Sequence, residues 1–65
     1  MQLKRTDNWR GHEDHFDLQS IEDAGLPGKY SITAEIDGEI VELLGIPAPG
    51  NGRLSGRWYD YELIE

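Results

Sequence analysis

His12-Glu13-Asp14-His15, followed by Asp17, is the densest set of metal-ligating residue types in the chain. Two neutral imidazoles and a carboxylate are a donor set that suits Zn²⁺ or Ni²⁺. The spacing is not that of the H-E-x-x-H metalloprotease helix, because the second histidine comes one residue early. Gly11 and the polar neighbours make a solvated loop the expected form of this stretch, and such a loop orders ligands poorly. No metal site is expected here.

Paired carboxylates raise a second chemistry, glycoside hydrolysis, with Glu35/Glu42 and Asp60/Glu62 as the candidate pairs. That reaction needs a cleft and one buried acid of raised pKa. A chain of 65 residues can scarcely enclose a substrate, so a wet sheet face is the expected role of both pairs. Ser20, Ser31 and Ser55 stand in no nucleophile-elbow pattern. Gly50-Asn51-Gly52 has neither a Gly-Lys-Ser/Thr sequence nor a following helical pattern, so it is no phosphate loop or dinucleotide fingerprint. The expectation is a protein that is not an enzyme, with no catalytic residue and no cofactor.

Composition narrows the remaining classes. The length allows one domain with a thin core, since chains this short bury only about 60% of their unfolded surface. There is no cysteine, hence no disulfide brace and no thiol chemistry. Thirteen acids against six Lys and Arg give a net charge of −7. Such a balance argues against direct binding to nucleic acid or to an anionic membrane, both of which need positive charge. It favours attraction to basic surfaces. The acidity is concentrated: residues 11–52 hold nine acids and only Lys29, whereas the remainder holds five bases and four acids. The longest strictly apolar runs are two residues, as at Ile40-Val41 and Leu43-Leu44, far short of a membrane span. A soluble, cytoplasmic protein is the expectation, in a host cytoplasm if a phage encodes it.

The elements that must position these residues are short and strand-like. Eight glycines and three prolines punctuate the chain. Lys29–Ile36 alternates, with Tyr30, Ile32, Ala34 and Ile36 on one face. Asp37-Gly38 follows, the dipeptide of a two-residue type I′ turn. Glu39–Leu44 then returns, with Ile36 opposite Glu39, Ala34 opposite Val41 and Ile32 opposite Leu43. The turn chemistry and the apolar alternation agree on this register. Glu35, Asp37, Glu39 and Glu42 thereby gather around one end of a ribbon, with Ile40 and Leu44 facing outward.

Arg57–Ile64 alternates too, with Tyr59, Tyr61 and Leu63 on one face and Trp58, Asp60, Glu62 and Ile64 on the other. Between the hairpin and this strand, Gly45–Gly56 reads as a loop. Gln2–Thr6 and Phe16–Ile21 are candidate strands, although Ser20–Gly25 also fits one helical turn capped by Ser20. The sum is an all-β fold: a four- or five-stranded antiparallel meander, closed as a small SH3-like barrel or left as a curled sheet. The alternative is α+β, with one short helix before the central hairpin. The expected core is Leu3, Phe16, Leu18, Ile21, Tyr30, Ile32, Ala34, Ile36, Val41, Leu43, Tyr59, Tyr61 and Leu63.

Two function classes lead, and a metal-binding protein or tiny metal-dependent enzyme around His12 and His15 is kept behind them as a third. The first is an acidic binding protein that occupies the basic, nucleic-acid-binding surface of a larger protein. Same-face residues on a strand lie roughly 6.6 Å apart, so alternating carboxylates offer charge at a spacing similar to successive backbone phosphates. In size, charge and lack of catalytic motifs the chain is similar to the small acidic inhibitors that phages encode, including anti-CRISPR and DNA-mimic proteins. That likeness is one of general character, and no motif carries it. The expected partner-binding residues are Glu35, Asp37, Glu39, Glu42, Trp58, Asp60 and Glu62, with Trp58 as an exposed anchor or as a cap on an open barrel end. The second class is a structural β module that docks into a larger assembly or associates with itself through Ile40, Leu44 and Ile64.

Overall fold

Alternation of apolar side chains sets the architecture. In a computed structural model describing all 65 residues, the chain forms six antiparallel strands and no helix. They are β1 (Gln2–Asp7), β2 (Glu13–Asp23), β3 (Lys29–Ile36), β4 (Glu39–Pro47), β5 (Leu54–Ser55) and β6 (Tyr59–Ile64). The order across the sheet is β4-β3-β2-β1-β6-β5. The first four strands are therefore a meander, and β6 crosses back to pair with β1. The sheet curls into a half-barrel, so the all-β expectation holds and the helical alternative does not. The number of strands is six rather than four or five, because β5 lies inside the stretch read as a loop.

The central hairpin matches its expected register, with Ile36, Ala34 and Ile32 opposite Glu39, Val41 and Leu43. Asp37 and Gly38 have φ of 52° and 84°, as a type I′ turn requires. The strand then outruns its expected end. Gly45 (φ 74°) lies in a bulge where the pairing steps from Ile32↔Leu43 to Tyr30↔Ile46. One extra β4 residue is absorbed, which returns Ile46 to the inner face. Ile46 is fully buried and belongs to the core, with Leu3, Ile32, Ala34, Ile36 and Leu63.

A second bulge corrects the reading of β2. The pairing shifts between Leu18↔Ala34 and Ser20↔Thr33, so Leu18 and Ile21 both face inward although three residues separate them. The helical turn expected from a Ser20 cap with Asp23 at the capping-box distance does not form, and Ser20–Asp23 continue β2. Ile21 lies at the rim and is 41% exposed, so it is not a core residue. Glu13, Asp14 and His15 stand in β2 rather than in a loop. Of the remaining expected core residues, Phe16, Leu18, Tyr30, Val41, Leu43 and Tyr61 pack partly buried against the six-residue centre, whereas Tyr59 lies outside it, with its ring against Arg5.

Topology sorts the loops. Each successive strand reverses direction, so the β1–β2 loop, the β3–β4 turn and the segment entering β6 share one end of the half-barrel. Arg5 closes that end from within. Its guanidinium donates to Asp14 and Asp37, both at 3.2 Å. It lies 4.4 Å from the Tyr59 ring centre and 5.1 Å from that of Phe16.

Candidate interaction surfaces

The outer face of β3 and β4 alternates carboxylates with aliphatics. Glu35 is opposite Ile40, and Thr33 is opposite Glu42. β2 extends this face with Ser20 beside Thr33 and Glu22 beside Ser31. The Ser20 and Thr33 hydroxyls share a hydrogen bond of 2.6 Å, and a shallow groove runs between them and Glu42. Glu35 and Glu42 are exposed and make no ion pair. Ile40 and Leu44 are 60% and 65% exposed. Glu39 is exposed as well, but alternation puts it on the inner side, at the rim beside the turn.

The other expected contact residues are not equivalent. Asp37 is ion-paired with Arg5, which it shares with Asp14, so its carboxylate is partly engaged within the fold. Glu62 pairs with Lys4 at 3.2 Å. Asp60 pairs with Arg53 at 3.6 Å and accepts a hydrogen bond from Asn8 Nδ2. Asp60 and Glu62 lie on β6, with β1 and β2 between them and the hairpin. The seven residues therefore do not form one site. Glu35 and Glu42 form a free acidic face with Glu39 at its rim, while Asp37, Asp60 and Glu62 are tied into the fold. His12 and His15 are apart from any metal cage: no three His, Asp or Glu side chains converge on one point.

Trp58 belongs to a different surface. It precedes β6 and stacks on Trp9 of the β1–β2 loop, with ring centres 5.8 Å apart and planes 24° from parallel. Arg57 lies 5.1 Å over the Trp58 ring. The loop is built to present this pair. Asp7 accepts the backbone N–H groups of Trp9 (2.7 Å) and Arg10 (3.2 Å), an Asx turn that fixes the chain direction. The Trp9 N–H bond is the chief reason the Asp7 carboxyl titrates below its ordinary range. Asn8 then ties the loop to the neighbouring segment, donating from its backbone to the Trp58 carbonyl and from its side chain to the Gly56 carbonyl.

Trp9 remains 75% exposed and Trp58 52%. With Asp7, Arg10 and Tyr59 they line an open cleft of about 630 Å³. The sequence signalled each tryptophan separately but not their stacking, which depends on β1, β2 and β6 being neighbours. Arg5 was missed altogether. The only signal for it was its phase, since Leu3 and Arg5 share the inner face.

The class these observations define is a small curled β-sheet domain with two exposed surfaces, one acidic and aliphatic, the other aromatic and flanked by arginine. Searches of protein-family models, curated proteins and solved structures found no significant match to this chain.

Proposed function

We propose that this protein is a non-enzymatic acidic binding protein that occupies a basic, nucleic-acid-binding surface on a larger protein partner. The carrying observation is the outer face of β3–β4, where the exposed, unpaired Glu42 stands between the exposed Ile40 and Leu44 and the equally unpaired Glu35 lies across from Ile40. Aliphatic side chains supply the desolvated centre of an interface. Unpaired carboxylates supply attraction to lysine and arginine and speed the encounter. The net charge of −7 acts in the same direction at longer range. Small phage-encoded inhibitors of the anti-CRISPR or DNA-mimic kind work in this general manner.

The test is affinity capture from host extract with the wild type and with Glu35→Lys/Glu39→Lys/Glu42→Lys. Asp37 is left intact because it holds Arg5. A specific partner should be retained at low salt, released at high salt, displaced by duplex DNA, and not retained by the triple variant. Retention that is indifferent to salt, to DNA and to the three substitutions would exclude the reading. A structural module docking into an assembly is the second reading, favoured by the exposure of Ile40 and Leu44; it predicts stoichiometric co-purification that survives high salt.

A further inference from the structure

Three of the six bases, Lys4, Arg5 and Arg53, are ion-paired. Lys29 on β3 is unpaired, and in a chain with thirteen acids Arg10 and Arg57 form no ion pair either, although Asp7 in the same cleft feels the charge of Arg10. Both arginines stand at the stacked tryptophans, Arg10 lining the cleft with Trp9 and Arg57 lying over Trp58. A guanidinium that stacks by its face keeps its in-plane N–H donors free for a carboxylate. This end of the half-barrel therefore offers aromatic area with two unspent cationic donors. The outer face of β4 offers the complement, exposed aliphatics at Ile40 and Leu44 alternating with the unpaired Glu42, and Glu35 beside them on β3. Seven large apolar side chains are exposed, and four of them fall in these two patches.

We propose that the Trp9–Trp58 end of one molecule docks on the Ile40–Leu44 face of a second copy, with Arg10 and Arg57 meeting Glu35 and Glu42. The contact is heterologous: the two surfaces differ, so a dimer leaves one of each unused and further copies can add head to tail. The patches lie on different elements, the β1–β2 loop and β6 entry against β4. The rigidity of the aromatic end favours binding, because the Asx turn and the Asn8 bonds have already ordered it. Long-range repulsion between two chains of charge −7 opposes the contact at low salt. Screening over about 8 Å at physiological ionic strength removes most of that repulsion and less of the close contacts. Self-association should thus strengthen between low and physiological salt, the opposite of the salt response expected for a basic partner.

Sedimentation of the purified protein over a range of concentration and salt tests this. Wild type should associate reversibly. Arg10→Glu/Arg57→Glu and Glu35→Lys/Glu42→Lys should each weaken association by about tenfold or more, the scale of like-charge contacts at an interface, while each variant still melts in one cooperative transition. Because the two variants reverse the charge on opposite sides of the contact, each should fail to associate alone, and mixing them should restore association, the intact end on the intact face and the reversed end on the reversed face. A wild type that stays monomeric would overturn the proposal. So would variants that still associate, which is the result for a symmetric contact elsewhere, or a mixture that fails to pair. A monomeric wild type leaves the basic-partner reading standing, and partner capture that is indifferent to salt leaves this one standing.

Discussion

Arg5 is the residue on which the half-barrel end depends. Its side chain is only 10% exposed, whereas Asp14 and Asp37 are mostly in water. Its Nε is buried without a partner. Burial opposes its charge, but the hydrogen bonds to Asp14 and Asp37 outweigh that and hold its pKa above the ordinary value. The asymmetry makes a prediction. Arg5→Met leaves two carboxylates that water can solvate, so it should cost about 1 kcal/mol, mainly for the lost contacts with Phe16 and Tyr59. Asp14→Asn/Asp37→Asn instead strands a half-desolvated cation and should cost about 2 kcal/mol. Urea unfolding of the three proteins checks the order; a costlier Arg5→Met would mean that packing rather than charge governs the site. Asp7 gives a second prediction. Its folded pKa lies below its unfolded value, near 3.9, so its contribution is present above that value and is lost as pH falls through the folded pKa. Trp9–Trp58 stacking, followed by the exciton couplet in circular dichroism, should therefore persist down to about pH 4. In Asp7→Asn, which keeps the acceptor oxygen without the charge, the acid loss should be shallower. Loss of the wild-type couplet near pH 6 would contradict this.

At the scale of elements, Gly56 is the joint that aims Trp58. Its N–H donates to the Tyr59 carbonyl at 2.8 Å, and an added Cβ would stand 2.8 Å from that same oxygen. Gly56→Ala must shift backbone, and it should cost about 1–3 kcal/mol while diminishing the Trp–Trp couplet; an unchanged couplet would show that Asn8 alone sets the stack. The elements also show which parts of the fold were legible in the sequence. The β3–β4 hairpin was readable because alternation and Asp37-Gly38 gave the same register independently. β2 was half readable. Its first inward residue, Asp14, is polar because it meets Arg5, so hydropathy gave no sign of a strand there. Its bulge then put Leu18 and Ile21 in helical phase. Ile46 was hidden by the bulge at Gly45, which restarts the alternation one step late. Of the proposed contact face, Glu35 and Glu42 were visible in the pattern. That Asp37 is engaged by Arg5 depends on a pairing across 32 residues, which no local pattern encodes.

The whole molecule carries its acids in excess on a small body, with a Cα radius of gyration of 11.0 Å. Self-repulsion in such a body destabilises the folded state. The melting temperature should rise by a few degrees between low and physiological ionic strength, because the screened repulsion outweighs the four ion pairs that salt also weakens, of which that between Arg53 and Asp60 is the longest. Differential scanning calorimetry would show it, and a falling melting temperature would mean that the ion pairs dominate. No helix of the structure is long and apolar enough to cross a membrane. The seating of β1 between β2 and β6 has a consequence for synthesis. Gln2 pairs with Ile64 and Leu3 with Leu63, so β1 waits for a neighbour synthesised some sixty residues later. Until then one flank of β1 has bare amides and Leu3 has no Leu63 to bury it. The nascent chain is most prone to wrong partners at that flank, and it becomes native only when β6 leaves the ribosome.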